Sequence, residues 1–206
     1  MKAEIEWQRS KQSVFWGEIA PCDHVVQIYE DKGSFLDILT GFVGEGINSG
    51  DSVIVIATKE HIQGLEERMR KCGLYIEFLI REELYIPVDA GELISTFMVK
   101  DWPDPILFKK EINKLIERAG RNRRKIRAFG EMVALLWSRG QNGATVQLEH
   151  LWNHIKQKNE LSLFSAYPKS GFTQDINSSI NQICGCHTRM INNSKSFDEI
   201  LYRNIA

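Results

Sequence analysis

The stretch from Lys125 to Ile155, KIRAFGEMVALLWSRGQNGATVQLEHLWNHI, decides the fold. Its first seven residues, Lys125 to Glu131, read as a strand that ends on a glycine and a carboxylate. An apolar helix, Met132 to Ser138, follows and is broken at Gly140 and Gly143. A second helix then places Leu148, Leu151, Trp152 and Ile155 on one face, the i, i+3, i+4, i+7 spacing of a core stripe. A strand that delivers a carboxylate to the start of a helix is how α/β proteins build sites, so Glu131 is the first candidate residue.

Outward from that stretch, strand and helix alternate. His24 to Glu30 (HVVQIYE) is rich in β-formers and reads as the first strand. Gly33 to Asn48 is a helix with a broad apolar side, stopped by NSGD. SVIVIAT, within Asp51 to Thr58, is the near-continuous β-branched run of a central parallel strand buried on both faces. A helix from about Lys59 to Lys71 follows. Leu74 to Ile80 and Leu84 to Val88 give one or two further strands, and Ala90 to Met98 a short helix. DWPDP, Asp101 to Pro105, is a rigid turn because each proline fixes its own φ and restricts the residue before it. Ile106 to Ala119 is amphipathic. Leu161 to Tyr167 (LSLFSAY) is a strand halted by Pro168, and Thr173 caps a helix carrying Ile176, Ile180 and Ile183.

At the ends, Met1 to Pro21 lacks a sustained period and reads as a loose arm (residues 1–22) that packs an aromatic or two onto the body. Ser196 with Glu199 three residues later is a capping box, predicting an amphipathic helix within 191–206 through which a homodimer would form. Alternation of this kind predicts an α/β fold of three layers, a mainly parallel sheet with helices on both faces.

The chain of 206 residues is 43% hydrophobic and 26% charged, with a net charge of −1. One domain with a sizeable core fits that length. The neutral balance gives no global electrostatic reason to expect direct nucleic-acid binding or an anionic membrane partner. No apolar run approaches the ~18 residues a membrane span needs. Four cysteines, two of them one residue apart, make no disulfide framework, so a reducing cytoplasm is expected.

In open parallel sheets, ligands bind beyond the carboxyl ends of the strands. Those ends carry Tyr29, Glu30 and Asp31, then Thr58, Asp89, Gly130 with Glu131, and Tyr167 with Pro168. This rim is polar, partly acidic and partly aromatic. Several of its members are equally the residues helix N-caps favour. Tyr29, Glu30, Thr58, Arg127, Glu131, Trp137 and Tyr167 are the candidate ligand-binding residues. Arg127, from the basic cluster Arg118 to Arg127, is included because it lies inside the strand that ends at Glu131. No G-x-x-x-x-G-K-[ST] loop follows the first strand, and the pair Glu30–Asp31 in its place would repel a triphosphate. His150 and His154 have metal-pair spacing but lack the H-E-x-x-H glutamate, and read as a polar helix face. Cys184, Cys186 and His187 (CGCH) are weaker metal candidates, since a closed zinc site ordinarily needs four ligands. No nucleophile motif appears, and no cofactor is indicated.

HVVQIYED, GFVGEGINSGDSVIVIAT, FMVKDWPDP, RAFGEMVALLWSRGQNGATVQLEHLWN, LSLFSAYP and FTQDINSSINQICGCHTR together resemble the MEDS domain, the sensory domain named for methanogens, methylotrophs and the dichloromethane regulator DcmR. The blocks GEMVALLW and LEHLWN are its specific part. The resemblance extends over most of the chain, giving a sensory domain over 23–190. It implies a fold similar to the KaiC and RecA group of P-loop ATPases without their phosphate loop. It further implies a non-catalytic module that senses a small molecule or a signalling partner. Such modules are usually attached to a histidine kinase or a DNA-binding transcription regulator. After 190 only the short predicted helix follows, so a separate output protein is expected. Two rival readings stay open: a nucleotide-binding protein or weak hydrolase using Glu131 as general base, and a dimerising interaction module.

Overall fold

The computed structural model describes residues 7–10, 16–171, 187–194 and 197–203. The helix expected after Thr173, together with Cys184, Cys186 and Ser196, lies outside them. In chain order the strands and α-helices are β1 (Trp7–Ser10), β2 (His24–Tyr29), α1 (Lys32–Asn48), β3 (Ser52–Ala57), α2 (Lys59–Lys71), α3 (Ile76–Arg81), β4 (Tyr85–Asp89), α4 (Ala90–Ser95), β5 (Met98–Val99), β6 (Trp102–Pro103), α5 (Pro105–Ala119), β7 (Ile126–Gly130), α6 (Met132–Ser138), α7 (Asn142–Asn159), β8 (Ser162–Pro168), β9 (Arg189–Ser194) and β10 (Phe197–Arg203).

The main sheet runs β1-β10-β9-β2-β8-β7-β3-β4. From β9 to β4 every neighbour pair is parallel. β10 is antiparallel to both β9 and β1. Burial explains the interior. Every residue of β3 is buried, and its side chains alternate between two cores as the period-two pleat requires. Val53, Val55 and Ala57 face the core built with α1, α2 and α3, while Ile54 and Ile56 face the core built with α4 to α7. The expected three-layer α/β architecture is therefore what the chain adopts.

Three local readings are corrected. Leu74 to Ile80 is not a strand: α3 forms there, burying Ile76 and Leu79. Those two positions, with Ile80, are spaced i, i+3, i+4, a helical period that the β-rich composition masks. The turn at Asp101 to Pro105 includes a two-residue strand, β6, paired antiparallel with β5. The C-terminal helix is not formed, because Phe197–Arg203 is strand β10, bonded on both sides. Ladder bonds to two neighbours there outweigh a local capping signal, an ordinary case of tertiary context overriding propensity. The N-terminal arm contributes β1 to the same edge, and its Trp16 packs against Phe42 and Phe164 at 5.1 Å each.

Helix starts behave as their sequences require. Asp31, Thr58, Asp89 and Asp104 each accept a hydrogen bond from a backbone N–H two or three residues on, satisfying donors that a helix N-terminus leaves open. Gly46 is needed where α1 crosses the sheet. A Cβ there would stand 2.7 Å from Cγ2 of Val53 and 3.1 Å from Cδ of Arg127.

Candidate functional site

Glu131 directly follows β7, at the N-cap position of α6, yet it makes no cap bond to its own helix. Its side chain crosses to the end of β3 instead. One carboxylate oxygen accepts from the Thr58 backbone N–H at 2.8 Å, and the other lies 2.7 Å from Nδ1 of His61. An ionised carboxylate only accepts, so Nδ1 is the nitrogen that donates to it. Thr58 closes the loop, its hydroxyl oxygen accepting from the His61 backbone N–H at 3.3 Å. Phe35 packs edge-on to the His61 ring at 5.1 Å, and Tyr29 stacks on Phe35 at 4.5 Å. Burial, and then the Glu131 charge, push the Tyr29 hydroxyl up to about 12, so it stays a neutral donor. Glu131, His61 and Tyr29 are all buried. The carboxyl ends of β2, β3 and β7 thus hold one compact unit of carboxylate, imidazole and phenol.

Of the candidate residues, Tyr29, Thr58 and Glu131 come together here. Glu30 sits beside them on the rim, ion-paired with Lys169. His61 is the member that sequence reasoning missed. The signal was available: it lies three residues after the Thr58 cap, in the first turn of α2, where a side chain faces the strand ends. Asp31 and Asp89, by contrast, serve as helix caps.

The other three candidates lie elsewhere. Trp137 is packed into the core formed with α4 to α7. Arg127 is near the opposite end of its strand, buried, with Nε donating to Asp51 at 2.7 Å and Nη1 to the Trp16 carbonyl at 2.8 Å. It borders a cleft of about 390 Å³ that Arg123, Arg124 and Lys125 also line. Tyr167 faces the other side of the sheet from Tyr29. Its hydroxyl donates to Glu149 of α7 at 2.6 Å.

Tyr167 opens onto a second buried polar group that sequence reasoning did not assemble. His24, Ser165, Glu149 and His187 meet there, between α7 and the sheet, and all are buried. Nε2 of His24 is 3.2 Å from the Ser165 hydroxyl and its Nδ1 is 3.4 Å from Oδ1 of Asn153. The rings of His24 and His187 lie 3.9 Å apart. Glu149 follows Leu148 on α7, while His150 and His154 are exposed, as a polar helix face would be.

Burial raises the Glu149 carboxyl to about 7 from its ordinary 4.5, against the Tyr167 hydrogen bond and the Lys156 charge. In the window between those values the folded state holds a proton that the unfolded state has lost. Folding stability from this group is therefore full below about 4.5 and declines as pH rises through about 7. Urea unfolding of chelator-treated protein across that window should show this decline, and Glu149→Gln should flatten it.

A search of family descriptions matches residues 23–188 to MEDS, the methanogen/methylotroph, DcmR sensory domain. The chain belongs to the MEDS family. The match spans α1 to α7 and the parallel strands β2, β3, β4, β7 and β8, and so contains the Glu131 cluster whole. It ends just after His187, so all members of the second cluster fall inside the MEDS domain as well. No curated protein matches the sequence. No described helix is long and apolar enough to cross a membrane.

Proposed function

We propose that this MEDS domain recognises a small molecule or a signalling partner at the carboxyl ends of β2, β3 and β7, and that it recognises without turnover. The observation that carries this reading is the Glu131–His61–Tyr29 unit. A buried carboxylate and imidazole drawn from separate strand ends are costly to desolvate. They stand at the end of a parallel sheet where ligands bind.

Kinship with the KaiC and RecA nucleotide hydrolases belongs to the same proposal, at the level of the layered sheet. Nucleotide hydrolysis has less support. The amides at the start of α1, where a phosphate loop would act, face the chain's own Asp31, which accepts from Ser34 N–H at 2.7 Å. A phosphate would have to displace that carboxylate. The signal would pass to a histidine kinase or a transcription regulator.

Isothermal titration of the full chain with nucleotides and with one-carbon and halogenated metabolites tests the reading. Binding by one class, abolished in Glu131→Gln, supports it. Silence from every class, with no signalling protein captured by the purified chain, retires it. Glu131→Gln should also lower stability by about 1–3 kcal/mol, because an amide can accept from only one of the two buried donors. Chemical denaturation measures that loss.

A further inference from the structure

We propose that His24, Glu149 and His187 form a binding site for one divalent first-row transition metal ion of the Zn²⁺ or Co²⁺ class. The inference does not depend on ligand binding at Glu131. The three side chains come from three places: the first residue of β2, the middle of α7, and the turn before β9. All are essentially excluded from solvent, at 0%, 1% and 0% exposure.

Their donor atoms all lie within 4.8 Å of one another. His187 Nε2 is 3.6 Å from one Glu149 oxygen, and His24 Nε2 is 3.8 Å from the other. These separations are too long for hydrogen bonds. They are close to what one ion imposes, since two ligands about 2.1 Å from a tetrahedral centre stand about 3.4 Å apart. Oε2 of Glu149 is enclosed and accepts no hydrogen bond among the described residues. A buried carboxylate oxygen left without a partner is a natural ligand for a cation.

The surroundings suit ligation. Tyr167 donates to Oε1 of Glu149 and fixes the carboxylate. Asn153 offers its carbonyl oxygen to Nδ1 of His24, which would leave Nε2 as the basic nitrogen, 3.8 Å from Glu149 and 3.2 Å from the Ser165 hydroxyl, a contact the ion would displace. That is the second-sphere arrangement a ligating histidine usually has. Two imidazoles and a carboxylate suit borderline divalent ions rather than Ca²⁺ or Mg²⁺. Three protein ligands leave a fourth position for water or an added small ligand.

The test uses the untagged full chain, stripped with chelator and then titrated with Zn²⁺ alone or Co²⁺ alone. Elemental analysis after gel filtration should find about one ion per chain, and Co²⁺ should give the visible absorption of a low-symmetry four-coordinate site. Glu149→Gln and His187→Ala should each release the ion. Glu149→Gln keeps an acceptor for Tyr167, and circular dichroism checks its fold. Asn153→Ala, a positioning residue, should weaken binding roughly 10- to 100-fold. The proposal is overturned if the wild-type chain retains no ion. It is equally overturned if Glu149→Gln retains the ion, as the exposed His150/His154 pair would allow. An ion kept by Glu149→Gln and lost only in Cys184→Ser/Cys186→Ser sinks it too.

Discussion

Arg127→Ala is expected to destabilise the fold by about 3–5 kcal/mol, the cost typical of breaking one side of a buried ion pair. Arg127 is 6% exposed and its partner Asp51 is equally buried. Three bodies meet at this side chain. Nε holds Asp51 at the start of β3, Nη1 holds the Trp16 carbonyl, and the plane lies 6.0 Å from the Phe42 ring of α1. Removing it leaves the buried Asp51 carboxylate without its ion-pair partner, and leaves the Trp16 carbonyl without this donor. A double variant, Arg127→Met with Asp51→Asn, removes both charges and should cost clearly less than Arg127→Ala alone. Urea denaturation of the three proteins measures the difference. If the double variant is as damaged as the single one, packing of the guanidinium on Phe42 and Gly46 is the dominant contribution, and the electrostatic account fails.

Arg127 also shows where sequence reading reaches its limit. That it lies in a strand is legible, because the flanking Ile126, Ala128 and Phe129 form a buried run. Its place near the amino end of that strand, away from the rim at Glu131, was legible too; its pairing with Asp51, 76 residues away in sequence, was not. The parallel sheet itself was legible in SVIVIA and in the strand–helix alternation, since burial on both faces leaves a composition that nothing else explains. Glu131 was legible as a site residue because a strand end followed by a helix start is a local pattern. His61 and the pairing of His24 with Glu149 and His187 were not, because their partners are far apart in sequence and no short motif records the contact. The edge strand β1 and its neighbour β10 were misread for a related reason. β1 pairs with β10, and β10 with β9 as well, while the residues 196–199 carry a local helix signal.

Trp152→Ala should cost about 3–5 kcal/mol, the range for truncating a large buried aromatic, and Trp152→Phe much less, about 1 kcal/mol. Trp152 is 2% exposed. Phe108 of α5 meets it edge-on at 5.4 Å, and Phe108 in turn meets Phe97 at 5.3 Å. The indole thus links α7 and α5 to the sheet, where Gly130 lies directly beneath it: a Cβ there would be 3.8 Å from the ring. Alanine would leave a cavity between α7 and the end of β7 that helices anchored elsewhere cannot close. Phenylalanine keeps most of the apolar volume. It also removes the indole N–H, which is buried and has no acceptor among the described residues, a group whose burial alone costs roughly 1–3 kcal/mol. The two substitutions therefore separate volume from polarity, which thermal or urea unfolding can read. A functional consequence follows from the position. Gly130 precedes Glu131, and Glu149 lies one turn before Trp152 on α7. Slack at this indole should reach both polar clusters, so Trp152→Ala is expected to weaken ligand recognition at Glu131 and metal retention at Glu149, whereas Trp152→Phe preserves both. If Trp152→Ala unfolds within 1 kcal/mol of wild type, the cavity has closed by collapse, and α7 is held by contacts other than this one.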